Sequence, residues 1–126
     1  MAGFSTYLKN ALVNASMRNV AYTSVTPIYI ALFTGNPNTG GSEVSGGSYV
    51  RKAITFIAPT LGVTNNALVI NFPVSTGIWG NISYFGVMDA LTVGNLLYFG
   101  ELSTHRNLIL GDSVSVPVGN IIITLV

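Results

Sequence analysis

His105 is the only histidine in the sequence, and the carboxylates that could orient it are Asp112 and Asp89. A histidine held by a carboxylate can act as general base toward a serine hydroxyl, the logic of a Ser-His-Asp hydrolase. The sequence lacks the G-x-S-x-G elbow that would mount the serine, and His105-Arg106 reads better as a polar turn between Leu102 and Leu108. Glu43 and Glu101 could form the carboxylate pair that cleaves a glycosidic bond. Glu43 lies in a Gly-rich stretch, a poor rigid mount, and two isolated carboxylates at a surface or interface are the simpler reading. No GxxxxGK[ST] phosphate cradle is present, and Asp89 and Asp112 stand far apart without a calcium loop. With zero cysteines there is no thiolate metal site, no Cys nucleophile and no disulfide framework. No catalytic set, cofactor or metal is expected.

Aromatic side chains are the next candidates. Trp79 and Tyr84, with Phe85, Tyr98 and Phe99, could build a stacking platform for a sugar or receptor, because an aromatic face offers apolar area beside a polar edge. Polar residues that would fix sugar hydroxyls are not concentrated beside them, and in a small β-domain most would be core.

Charge is scarce. Only 7% of the 126 residues are charged against 49% hydrophobic, and the formal net charge is +1; an ordinary soluble domain carries charge at roughly a quarter of its positions. A free monomer relies on a mixed charged surface, so the composition points to a subunit covered by neighbours, a homo-oligomer. Five basic residues, with only Arg51 and Lys52 adjacent, cannot make a phosphate-neutralising stripe, which argues against nucleic acid. No run of about 18 apolar residues exists, so no helical membrane span is expected. Residues 1–17 lack the basic start and unbroken apolar core of an export signal, Asn10 and Asn14 interrupting it.

The elements that must position these residues are mostly strands. Ser5 precedes Leu8, Ala11, Leu12 and Ala15 at helical spacing, predicting one N-terminal helix over 6–17, with Phe4 extending its stripe and Arg18 at its negative end. From Pro27 onward, short runs rich in Ile, Val, Thr, Tyr and Phe alternate with Gly, Asn, Pro and Ser. Strands are predicted at 28–34, 50–57, 67–72, 82–88, 96–102, 107–110, 113–118 and 121–125. Gly119-Asn120 between the last two reads as a two-residue hairpin. Val114, Val116 and Val118 predict one buried face, whereas Ile121, Ile122 and Ile123 put apolar groups on both. Eight short strands in a chain of single-domain length predict a mainly β fold over 1–126, a jelly-roll-like antiparallel β-sandwich with one helix. The Gly-rich loop 35–48 is long for a compact domain and is expected to be an arm that contacts a neighbouring subunit or else an ordinary mobile hairpin loop.

Three stretches together are familiar in kind. They are Tyr7-Leu8-Lys9-Asn10-Ala11-Leu12 with Arg18-Asn19-Val20-Ala21-Tyr22; Ile28-Tyr29-Ile30-Ala31-Leu32-Phe33-Thr34 leading to Gly46-Gly47-Ser48-Tyr49-Val50-Arg51; and Trp79-Gly80 through Phe85-Gly86 to Gly94-Asn95-Leu96-Leu97-Tyr98-Phe99-Gly100. Their order and spacing across nearly the whole chain resemble small tailed-bacteriophage virion proteins of the tail-fibre-like or minor structural kind. The resemblance implies a non-enzymatic building block, made in the host cytoplasm and assembled onto the virion. Its partners would be copies of itself, as a dimer or trimer, and virion proteins such as the major capsid protein or tail proteins. The absence of fibre-shaft repeats and the buried-surface composition favour a capsid cement or decoration protein. A tail- or tail-fibre-associated subunit is the alternative, and a glycan- or receptor-binding module a further one. Glu43, Arg51 and Lys52, beside the long loop, are the candidate polar contacts between subunits.

Overall fold

A computed structural model describes residues 2–125. Among them, strand β1 (Ala2–Phe4) leads into helix α1 (Thr6–Met17). Then follow β2 (Ile28–Phe33), β3 (Lys52–Ile54), β4 (Val63–Asn65), β5 (Ile70–Asn71), β6 (Gly80–Met88), β7 (Leu96–Leu108), β8 (Ser115–Val116) and β9 (Ile122–Thr124). The architecture is mainly β, entirely antiparallel and carries one helix, consistent with a β-sandwich. A five-stranded sheet runs β1-β7-β6-β2-β3, and two-stranded sheets β4-β9 and β5-β8 complete it. The jelly-roll arrangement goes beyond what this strand order shows.

The helix begins where its cap predicts. Ser5 is extended, and its Oγ accepts the Leu8 N–H at 3.1 Å while donating to the Leu96 carbonyl, so one buried hydroxyl caps α1 and ties it to β7. Arg18 closes the other end, donating to the Asn14 side-chain oxygen at 2.9 Å. No residue of α1 is buried, and Leu8 alone packs on the main core. Phe4 belongs to β1, not to the helix stripe, and meets Tyr98 edge-on at 5.4 Å.

The central strands β2 and β6 bury both faces, which their unbroken apolar runs require. One face, with Ile30, Leu32, Phe85, Val87 and Tyr98, joins Trp79, Leu108 and Ile121 in the main core. The other holds Ala31, Phe33 and Met88, flanked by Tyr84 and Leu96. Gly86 is required there, since a Cβ would sit 2.8 Å from the Phe33 ring.

Two predicted turns differ. Residues 96–102 and 107–110 were expected as separate strands with a turn at His105-Arg106. In the structure β7 runs continuously from Leu96 to Leu108 and pairs with β6 at both its ends, Leu96 with Met88 and Leu108 with Gly80. Tyr84 pairs with Glu101 and Ile82 with Arg106, so the intervening residues of β7 bulge out of the ladder. The polar pattern marked the bulge. At Gly119-Asn120 the chain does turn, with Asn120 N–H bonded to the Pro117 carbonyl and Gly119 at φ 81°, but β8 and β9 do not pair with one another. Each pairs elsewhere, β8 with β5 and β9 with β4. The cause is Asn66, fully buried beneath the turn. Its side chain donates to the Pro117 and Leu68 carbonyls and accepts the Ile121 N–H, taking the backbone groups that a hairpin would pair. Val114 and Val116 face inward as expected, whereas Val118 is on the exposed turn. Strands β1 and β4 carry no alternation long enough to have been predicted.

Candidate subunit-contact site

The loop over residues 35–48 folds back on its own chain. Thr34 N–H bonds to the Ser42 carbonyl and Val44 N–H to the Leu32 carbonyl, Val44 is buried, and a short 3-10 turn, Pro37–Thr39, packs against β6 and β7. Asn38 Oδ1 also accepts the Thr6 N–H, joining the loop to the start of α1. This differs from an arm extended toward a neighbour. Its polar groups find partners within the chain, as buried backbone requires.

The loop delivers Glu43 to Arg51. The guanidinium donates through Nε to Glu43 Oε2 and through Nη2 to Oε1, both at 2.8 Å, a bidentate pairing. Tyr49 adds its hydroxyl to Glu43 Oε2 at 2.7 Å and accepts the Leu32 N–H at 3.0 Å. Arg51 Nη1 reaches farther, to the carbonyls of Ala90 at 2.7 Å and Val93 at 2.8 Å. Arg51 is buried and thus links three segments: the Gly-rich loop, the strand entry at β3 and the turn between β6 and β7. Burial works to raise the Glu43 carboxyl, but the Arg51 and Tyr49 hydrogen bonds outweigh it and hold it below the usual carboxylate range. Burial, followed by the bond to Glu43, pushes the Tyr49 phenol well above its ordinary value. The Glu43 hydrogen bond raises Arg51, burial opposing it. Glu43 and Arg51 thus serve first as a clasp inside the chain. Lys52, half-buried at the start of β3, lies beside the clasp and takes no part in its hydrogen bonds.

The turn that Arg51 grips is braced from its other side. Asp89 Oδ1 accepts the Asn95 N–H at 2.6 Å, and Oδ2 accepts from the Asn95 amide at 3.1 Å.

Trp79 is 4% exposed, so its faces are not open to a sugar. Its indole N–H donates to the Gly47 carbonyl at 2.8 Å, and its ring meets Tyr49 edge-on at 5.4 Å. Gly47, at φ 58°, is what allows this, because a Cβ there would lie 3.0 Å from the indole nitrogen. Tyr84 is half-buried against the second core cluster. The two aromatic candidates are therefore on different faces of the sheet and form no common platform.

The residues with catalytic chemistry are dispersed in the same way. His105 Nε2 lies 3.1 Å from Glu101 Oε2 across the bulge of β7. Asp112 Oδ2 accepts the Ile109 N–H at 3.0 Å and its own N–H bonds to Ser75 Oγ, closing a separate loop. Asp89 braces the β6–β7 turn, and Glu43 is bound by Arg51. Among the described residues no group of three or more His, Cys, Asp or Glu side chains could hold a metal, and no helix is long and apolar enough to cross a membrane.

Sequence reasoning marked Glu43 and Arg51 but not Tyr49 or Asn66, and it weighed Asp89 only beside His105 or a calcium ion, not as the brace of the β6–β7 turn. Asp89 stands six residues before Asn95 in a turn-rich stretch, the one signal that could have found it.

What this geometry defines is a β-rich domain whose few charges brace its own loops. No curated protein matches the chain. It belongs to the family described as Podophage GP4 fiber I protein gp80, whose model matches residues 3–124. It is a structural protein of a tailed phage and part of the virion.

Proposed function

We propose that the chain is a non-enzymatic subunit associated with a phage tail fibre, assembling with further copies of itself and with neighbouring tail proteins. The observation that carries this reading is the match to a fibre family across residues 3–124, nearly the whole chain. It favours the fibre alternative over the capsid cement role that composition suggested. Low charge is equally compatible with either, because any crowded structural site hides uncharged surface. The internal clasp and the dispersal of His105, Asp112 and Glu43 add support for a scaffolding role, since Glu43 and Asp112 already hold loops in place.

Particles made without this protein test the proposal. Filled capsids of unchanged heat resistance but with missing or misassembled tail fibres are expected. Complete fibres together with a capsid that leaks its genome on warming would support the cement role instead and overturn this one.

A further inference from the structure

Strand β9 uses its backbone groups on one side only. The Leu125 N–H bonds to the Gly62 carbonyl and the Ile121 carbonyl accepts the Asn66 N–H, so residues 121, 123 and 125 turn their peptide groups toward β4. In an antiparallel ladder those of Ile122 and Thr124 then point the opposite way. Among the described residues nothing bonds to them. Strand β4 is closed on its own outer side, where the Ile57 N–H bonds to the Asn65 carbonyl. The open edge of this ribbon is therefore β9.

Open edges invite pairing with another chain, and charges, prolines and bulges are the usual guards against it. Lys52 stands on β3, Glu101, Arg106 and the bulge on the part of β7 beyond β1, and Pro117 directly after β8. Strand β9 carries no such guard. No charged residue occurs over 53–88 or 113–126, the stretches that supply both strands of the ribbon. The isoleucines of β9 and its entry also divide between two faces. Ile121 is buried and Ile123 packs on the main core, but Ile122 is 55% exposed on the outer face, diagonal to Val63.

We propose that β9 pairs antiparallel with β9 of a second copy about a two-fold axis at Ile123, making one continuous sheet of two β4–β9 ribbons. Unpaired peptide groups call for an extended strand as their occupant. A second β9 fits them: Ile122 and Thr124 of each copy exchange N–H···O bonds with Thr124 and Ile122 of the other, and no like charges meet across the axis. Ile122 and Val63 of both copies then share one apolar face. Such a contact uses the same patch on both copies, so it closes at a dimer. The proposal rests on the reading of the chain as a self-assembling virion subunit and names the surface used.

The sequence has no cysteine, so engineered thiols report the register. Ile123→Cys is expected to form a disulfide-linked dimer under mild oxidation, because the two-fold sets this residue opposite its own copy in a non-hydrogen-bonded pair. Leu125→Cys, at an exposed position, is offset from its copy by roughly 13 Å along the strands and is expected to stay unlinked. Thr124→Pro removes an outward N–H that β4 does not use. It is expected to keep the wild-type unfolding midpoint while weakening self-association in sedimentation by about tenfold or more, the loss of a symmetric pair of hydrogen bonds. Ile122→Lys supplies the missing guard at an exposed position and is expected to do the same. An unlinked Ile123→Cys, linking of Leu125→Cys as readily, or wild-type association by either folded variant would overturn the proposal. A wild-type chain that sediments only as a monomer would overturn it too, while fibre loss in the deletion particles would still stand as support for the fibre role.

Discussion

Arg51 is the residue on which most of the local architecture converges. It carries a charge that is 7% exposed and satisfies it with one carboxylate and two carbonyls, leaving Glu43 24% exposed on the other side. Replacing Arg51 by methionine removes the partner but leaves the carboxylate half-enclosed. The expected loss is about 3 kcal/mol in urea unfolding, the lower end for breaking a buried pair because Glu43 retains some water. Adding Glu43→Gln to that variant should recover part of the loss, since the uncompensated charge is then gone. The pair also makes stability pH-dependent. Glu43 is held below its ordinary value in the folded chain, so its contribution is complete above the unfolded carboxyl pKa, about 4.3, and fades as pH falls through the lower folded value. Urea midpoints of the wild type should therefore drop more steeply below about pH 4 than those of Glu43→Gln. Parallel curves would show that the clasp contributes nothing in acid. Glu43 and Arg51 stood out in the sequence because charges are so few. Their pairing did not, because it spans eight residues of irregular loop and depends on Tyr49 and the Ala90 and Val93 carbonyls, which no local pattern announces.

Elements were legible in proportion to how local their causes are. Helix α1 spans the predicted residues because Ser5, the apolar spacing and Arg18 all act within one short stretch. Strands β2 and β6 were visible as continuous apolar runs. The partners of β8 and β9 were not, because they are set by Asn66, some fifty residues away in sequence, and the single long strand β7 was hidden by a polar bulge in its middle. Two substitutions probe this level. Ser5→Ala removes both the helix cap and the bond to the Leu96 carbonyl and should cost about 1–2 kcal/mol; an unchanged midpoint would mean that α1 frays without consequence. Gly86→Ala forces a methyl against the Phe33 ring and should cost about 1–3 kcal/mol by overpacking, read in the same urea titration. Helix α1 buries no residue of its own, and a helix of this length is marginal by itself in water. Its capping to β7 is therefore expected to matter more than its sequence propensity.

At the scale of the whole molecule, the scarcity of charge has acquired a structural meaning. Glu43, Arg51, Asp89 and Asp112 hold loops, which leaves large parts of the surface to neutral and apolar side chains such as Val93, Leu61 and Ile78. Such a surface suits a particle component that is covered in place. Composition alone could not say whether that place is the capsid or the tail; membership of a fibre family favours the tail. The central claim, that the chain is a fibre-associated subunit, is tested most directly by an electron cryomicroscopy reconstruction of the intact virion, in which this fold is sought at side-chain resolution. The account predicts density for it within or at the base of the tail fibres, with adjacent copies in contact. Density on the capsid lattice and none at the fibres would contradict it.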